Sequence, residues 1–485
     1  MIFWGYFISF AFMLLVILVG EGLQKKFNLD KELVRKVEHL ATAFSWIICY
    51  FFIGCNYHLV IINGLACLAL GIIAFGGLMK SVEREDTAKS YGLFYWGLST
   101  TIIAAITVFV NPKFYPLNGI AYYCLSFGDG FAPIFAKIFK KNNVQVYPPK
   151  TLMGMIAVFL FSMLATIVFN IAFSLGYSWH FILSVACLSC LLELFGTYGL
   201  DNFYITFGVF GYLILQYYGL VTAPLEFAII ISLFTVFVSA KLDALTHSAN
   251  IVSVAFLMIC AFCTGWSLTT MVLSLYVISA IVSKITSKKY YAKYNKQKKH
   301  IARGVLQILT NSSVAAAFAI LYYIFKNVIF LYCAIAVIGE EFADSMASDL
   351  GRLSNKKPKD ILGLREIIPG ISGGISWLGT FMALLGAFIA TLIPYAFYTK
   401  TISWYIGLII CGIAFSGTFI DSILGSGLQV LYKCLNCNNF VESKIHCDNQ
   451  AVYVKGVPWI TNSMVNFLSG ILTAGIACGL FFAII

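Results

Sequence analysis

The chain has 485 residues, 60% of them hydrophobic and only 11% charged, with a formal net charge of +11. A soluble globular chain carries about 25% charged residues, so a surface covered by water is excluded and lipid must take its place. The positive charge has no soluble basic domain to display it, which excludes nucleic acid as a partner.

Apolar runs of about 17–25 residues mark membrane helices. Sixteen are predicted, near 2–20, 38–54, 58–79, 91–110, 118–137, 152–175, 180–196, 203–218, 222–240, 250–264, 268–284, 304–325, 328–344, 374–394, 403–424 and 464–484. The fold class is therefore an all-α polytopic membrane protein. The first run has no basic leader and no small-residue cleavage site, and is expected to stay as a span. With sixteen crossings, alternate loops share a side. The loops at 21–37, 80–90, 137–150, 196–203, 241–249, 284–303, 345–373 and 425–463 hold 29 of the 32 Lys and Arg, which leaves Lys113, Lys326 and Lys400 for the other side. Cytoplasmic loops carry that excess, so the charged face is expected in the cytoplasm of a bacterial-type plasma membrane, with both termini outside. Almost all acids lie in or beside the same loops, with Glu226 apart. A transporter would place polar groups near the midplane. Charge at one end of each helix favours an enzyme.

In the first half, Arg35-Lys36-Val37-Glu38-His39 opens the second span. Arg35 and His39 share a helix face, and two cations with a His suit a phosphate. A plain positive-inside anchor reads the same residues differently. Gly128-Asp129-Gly130 sits deep at the end of the fifth span, flanked by Phe127 and Phe131. A carboxylate between glycines admits a metal–phosphate group closely. Pro149-Lys150-Thr151 then places a Lys and a hydroxyl at a helix N-terminus, either an anion site or a simple cap. Leu192-Glu193 ends the seventh span and Leu200-Asp201-Asn202 opens the eighth.

Over roughly residues 30–218 this order resembles the CTP-dependent membrane lipid kinases, the group of dolichol kinase and phytol kinase, with phosphatidate cytidylyltransferase a more distant relative. Ala136 stands where that pattern has Gly. The resemblance implies CTP as co-substrate and an isoprenoid alcohol as acceptor. Asp129 would hold Mg²⁺ or orient the alcohol. Arg35, Lys36 and Lys150 would meet the nucleotide phosphates, with His39, Thr151, Glu193, Asp201 and Asn202 nearby.

In the second half, Arg303-Gly304 leads to Asn311, and Glu341-Phe342-Ala343-Asp344 to Asp349-Leu350-Gly351. Ser372-Gly373-Gly374 opens another span, Asp421 ends the next, and Asn462 and Asn466 open the last. Asp344 with Glu340 or Glu341 could hold Mg²⁺ through oxygen ligands, and the Gly/Ser segment could wrap phosphates with its N–H groups. Helix-end charges paired with Arg352 and Arg365 are the plain alternative. From about residue 236 onward this resembles the membrane family of the plant phytyl-phosphate kinase, with Thr461 and Ser463 in place of an Asp and an Asn. The two resemblances divide the chain into domains at 1–218 and 219–485. Asp129, Ala132 and Ala136 repeat in spacing as Asp344, Ala347 and Gly351, which fits an old duplication.

Cys434-x2-Cys437 and His446-Cys447 lie in one loop at 433–448, near Lys433 and Lys444. In a reducing compartment such spacing reads as structural Zn²⁺, with four unrelated side chains as the alternative.

The expected activity is a two-stage lipid kinase. The first half would make a lipid monophosphate, and Asp344 and Asp349 in the second half, with Arg303 on phosphate, would serve its conversion to the diphosphate. The lipid alcohol and lipid phosphate would keep their tails among bilayer lipids. A cytidylyltransferase making a CDP-activated lipid and a transporter are the other classes weighed. Oligomeric state and lipid chain length stay open.

Overall fold

The structure is a computed structural model and describes residues 2–27, 31–76, 91–140, 143–197, 199–294, 302–368, 370–397, 402–447 and 449–484. The chain divides into two compact units, Met1–Leu242 and Asp243–Ile485. The sequence division at 218/219 separates a helix, α11 (Ala223–Lys241), that packs on α9 (Trp179–Phe195) and so groups with the first unit. Each of the sixteen apolar runs falls largely on helix. Among the described residues, nine helices are long and apolar enough to cross a membrane, and three shorter ones are apolar. Short strand pairs occur in the loops, which the all-α expectation did not include.

The first unit also contains α1 (Ile2–Phe27), α2 (Lys31–Thr42), α3 (Phe44–Phe52), α4 (Tyr57–Gly76), α5 (Gly92–Phe109), α6 (Tyr115–Tyr123), α7 (Gly130–Ile138), α8 (Leu152–Ala172) and α10 (Asp201–Tyr217). Two predicted spans are broken. The 38–54 run divides at Ala43, which parts the charged α2 from α3, which has no charged residue. The 118–137 run divides into α6, a π-helical stretch Cys124–Asp129, and α7. Pro133 lies inside α7 and has no N–H to give the carbonyl of Asp129 four residues earlier. A widened turn just before it absorbs the fault, and such turns often occur at functional sites. Gly130 lets α2 approach closely, because a Cβ there would lie 2.7 Å from the Leu40 side chain, which would have to shift. The strands β1 (Gln145–Tyr147) and β2 (Lys150–Thr151) pair antiparallel and lead straight into α8. Trp46 anchors the core, stacked on Tyr115 at 5.1 Å and edge-on to Phe169 at 5.1 Å.

The second unit contains α12 (His247–Thr264), α13 (Trp266–Tyr294), α14 (Val305–Phe325), α15 (Val328–Gly351), α16 (Trp377–Phe397), α17 (Trp404–Gly427) and α18 (Asn462–Ile484). Helix α15 is its axis, in contact with α13, α14, α16, α17 and α18. In lipid, helices associate through close packing of small residues more than through apolar burial. The seams of α15 follow that rule. A Cβ on Gly386 of α16 would lie 2.9 Å from the Cα of Ala343, and one on Gly417 of α17 would lie 2.4 Å from Glu340 Cγ. Small neighbours are therefore what let acids sit inside the helix bundle. Helix α15 continues to Gly351, so residues 345–351 are helix where a loop was predicted, and α13 likewise continues to Tyr294.

Candidate functional site

Each unit gathers its predicted residues, in different states. In the first, α2 turns Lys36 and His39 toward the π-helical stretch. Lys36 Nζ donates to Asp129 Oδ1 at 2.5 Å, with both side chains buried, and His39 Nδ1 lies 3.3 Å from Asp129 Oδ2. The β1–β2 turn delivers Lys150 between α9 and α10, where it donates to Glu193 and, at 2.9 Å, to Asp201 Oδ2. Burial pulls the Lys150 ammonium toward neutrality, but Glu193, Asp201 and Asp129 outweigh it and hold its pKa above the usual lysine value. The two lysines expected on nucleotide phosphates thus sit on carboxylates. Oxygens of Asp129, Glu193 and Asp201 all lie within 4.8 Å of one another, so Glu193 and Asp201 join Asp129 as a possible cation ligand set. Glu193 Oε2 is buried with no hydrogen-bond partner among the described residues.

Two first-half candidates also make bonds that hold the fold. Asn202 Nδ2 donates to the Gly92 carbonyl at 2.8 Å, which ties α10 to the start of α5. Thr151 is the N-cap of α8, its hydroxyl accepting from Gly154 N–H at 3.3 Å. The side chain of Arg35 lies outside the described residues.

In the second unit a cavity of about 290 Å³ is lined by Arg303, Asn311, Asp344, Asp349, Ser372, Gly373, Gly374, Asp421, Asn462 and Asn466. Every one of these was a sequence candidate, drawn from five separate segments. Glu341 is not part of the lining. Its Oε2 accepts from Asn311 Nδ2 at 2.5 Å, and Asn466 Nδ2 lies 3.5 Å from Asn311 Oδ1. Asn311 thus holds Glu341 toward α14, and both Glu340 and Glu341 are helix-face neighbours of Asp344, four and three residues away. Among the described residues no three acids of this unit bring their oxygens within 4.8 Å of one another. Nor does any ion pair join Asp344, Asp349 or Asp421 to a cation among them.

Sequence reasoning passed over several contributors. Gln307 lines the cavity, as does Arg352, which the sequence offered only as a partner for helix-end charges. Ser469 Oγ donates to Glu340 Oε1 at 3.0 Å and lies 3.4 Å from Asp421 Oδ2, linking two acids through α18. Glu442 Oε1 accepts from Ser372 N–H at 3.0 Å and from Ser372 Oγ at 2.7 Å. That N–H was expected on a phosphate and is instead held by a carboxylate. The Gly373 position has φ +84°, and a Cβ there would lie 2.6 Å from Ser426, so the turn requires glycine. The following strand β4 (Gly374–Ile375) pairs with β3 (Lys359–Asp360), and Asp360 Oδ1 accepts from Ser426 Oγ at 2.5 Å.

The loop after α17 forms β5 (Leu431–Lys433), β6 (Phe440–Val441), β7 (Ile445–His446), β8 (Asn449–Gln450) and β9 (Val452–Lys455). The β5–β6 turn carries Cys434 and Cys437, and the β7–β8 turn carries His446 and Cys447. The four ligand atoms all lie within 4.8 Å of one another. The backbone N–H of Cys437 and then His446 pull the Cys434 thiol down to about 6.

Among known proteins, the chain is 30% identical over 167 residues to an uncharacterized membrane protein of Methanocaldococcus jannaschii, covering 34% of this chain and 66% of that relative. It is 25% identical over 275 residues to Protein PGR of Arabidopsis thaliana, covering 52% of this chain and 93% of the relative. No solved structure matches. The model of the family described as integral membrane protein DUF92 matches residues 230–474, about half of the chain, and the chain belongs to that family.

Proposed function

We propose that the chain is a membrane phosphotransferase working in two stages. The first unit would phosphorylate a long-chain isoprenoid alcohol with CTP, and the second would carry the monophosphate to the diphosphate. The observation that carries the reading is the second unit's cavity, where Asp344, Asp349 and Asp421 face Arg303 and Arg352 around one space of about 290 Å³. Acids without a paired cation, beside guanidinium groups, suit a divalent cation carried in with phosphates.

Mg²⁺ fits both donor sets. Such an ion is usually held by one or two carboxylates plus substrate phosphates, which matches the spread acids of the second unit. The closer set of Asp129, Glu193 and Asp201 offers hard oxygens, one of them the buried Glu193 Oε2 without a partner among the described residues. When bound, the ion would neutralise charge on the transferring phosphate. The protein's own part is positioning and charge. Lys150 can exchange one of its two carboxylates for a phosphate oxygen. Asp129, held by Lys36 and His39, would hold the cation or orient the alcohol. Arg303 and Arg352 would fix the donor phosphates in the second cavity, with Asn311 and Asn466 shaping the wall. CTP and the isoprenoid acceptor rest on the resemblance alone. In the membrane we place sixteen crossings, with the 29 Lys and Arg of the charged loops on the cytoplasmic side.

The carboxylate set of the first unit suits cytidylyl transfer equally, and that is the second reading. Purified protein in detergent with Mg²⁺, γ-labelled CTP and farnesol, geranylgeraniol or phytol separates them. Label passing into lipid monophosphate and then diphosphate is the expected result. Labelled pyrophosphate formed only when lipid phosphate is present would install the cytidylyltransferase instead. If neither product forms with any prenol or its phosphate, the phosphotransferase reading fails.

A further inference from the structure

Between α17 and α18 the stretch from Cys434 to Cys447 buries little apolar surface, with Leu435, Phe440 and Ile445 all exposed. It nonetheless forms a three-stranded sheet, in the order β6-β5-β9, and a separate β7–β8 pair. Two tight turns face each other across it. Asn438 and Cys447 both take left-handed backbone, at φ +57° and +51°. Cys434 N–H closes the first turn on Asn439 O at 2.9 Å. His446 Nδ1 lies 3.6 Å from Cys437 Sγ and 3.2 Å from Cys447 Sγ. Ligand atoms on a tetrahedral Zn²⁺, with Zn–S about 2.3 Å and Zn–N about 2.0 Å, stand roughly 3.5–3.8 Å apart. The observed separations sit around that value.

We propose that Cys434, Cys437, His446 and Cys447 bind one structural Zn²⁺, and that the ion braces the cavity of the second unit through Glu442. Glu442 lies between the two ligand turns, directly after β6. Its carboxylate holds the N–H and hydroxyl of Ser372, in the turn whose Ser372, Gly373 and Gly374 line the cavity. Ser372 Oγ also lies 3.3 Å from Asn462 Oδ1, which fastens the same turn to α18. Removing the ion frees the segment that carries Glu442, and the turn loses a charge-assisted hydrogen bond. Only the functional consequence of that loss rests on the phosphotransferase reading. The metal site and the brace do not.

The test uses the full chain purified in detergent without chelator. Elemental analysis should find one zinc per chain, and none above background in Cys437→Ser/Cys447→Ser. Cobalt loaded in place of zinc should give thiolate charge-transfer and tetrahedral visible bands that the double variant lacks. A wild-type chain that neither carries zinc nor takes it up from a competing chromophoric chelator overturns the site, whatever the fate of the double variant. For the brace, hydrogen exchange at the Ser372 amide is followed in the zinc-loaded, chelated and Glu442→Ala forms. Chelation and Glu442→Ala should each speed it by about ten-fold or more, the equivalent of one charged hydrogen bond, and Glu442→Ala should retain its zinc. Exchange unchanged on chelation overturns the brace. Because neither readout involves lipid or nucleotide, a failed kinase assay leaves both conclusions standing.

Discussion

The two units gather similar residues into opposite electrostatic states. In the first, Asp129, Glu193 and Asp201 are interlocked with Lys36 and Lys150, so the charges largely answer one another. In the second, Asp344, Asp349 and Asp421 share a cavity with two arginines, and no ion pair within reach compensates them among the described residues. Carboxylates gathered at one cavity without a paired cation are expensive, and a protein keeps them when something else supplies the positive charge. The difference teaches that a list of acids and cations does not define a site. Who is paired with whom decides whether a substitution acts on folding or on ligand binding.

The sharpest way to break this comparison is through stability. Lys150→Met would leave Glu193 and Asp201 facing each other with no cation, and removing one partner of a mostly buried ion pair costs about 3–5 kcal/mol. We expect a lowered melting temperature and poor recovery in detergent. Asp344→Asn should behave oppositely, neutral or slightly stabilising without added cation, because it removes uncompensated charge. Equal destabilisation by both substitutions would erase the distinction between the units.

Activity comes next. Asp129→Ala should abolish formation of the lipid monophosphate while the diphosphate still forms from supplied monophosphate, and Asp344→Ala should do the reverse. Loss of one preorganised electrostatic group typically costs on the order of 10²–10³-fold in rate. Thin-layer separation of the two labelled products checks both halves in one reaction. Variants that each retain both activities would sink the assignment of one step to each unit.

How much of this could be read from the sequence depends on the kind of signal. The apolar runs reported helices well, because lipid demands continuous apolar length. They did not report the break at Ala43 or the π-helical stretch before Asp129, since hydropathy is blind to backbone hydrogen bonding. Pro133 was the available clue to the second. Lys36 and Asp129 were both chosen, 93 residues apart, but nothing in spacing says that they pair with each other. Glu442 was missed for the same reason. Its partner Ser372 is 70 residues away and only the fold joins them. The bond from Asn311 of α14 to Glu341, 30 residues apart, is likewise a matter of the fold.

A divalent cation should therefore act more strongly on the second unit's acids than on the first unit's. Mg²⁺ at 100 times its dissociation constant would stabilise the folded chain by about 2.7 kcal/mol. The thermal shift should shrink in an Asp344→Asn/Asp421→Asn variant, measured with Ca²⁺ as well to separate binding from turnover. An undiminished shift would move the cation to the first unit and reverse the contrast drawn between them.

The smallest effect concerns Thr151, where cap and anion site compete for one hydroxyl. Its oxygen already accepts from Gly154 N–H, and an N-cap is worth about 1 kcal/mol. The hydroxyl hydrogen remains available to a phosphate, since a Ser or Thr side chain accepts and donates at once. Thr151→Ala should thus lower stability by about 1 kcal/mol and raise the KM for the nucleotide by less than ten-fold, a gap of under about 1.4 kcal/mol. Thr151→Ser should restore both. If the Ala variant loses stability while its KM stays at the wild-type value, Thr151 is a cap alone, and Lys150 is the one residue of that turn left to meet the phosphate.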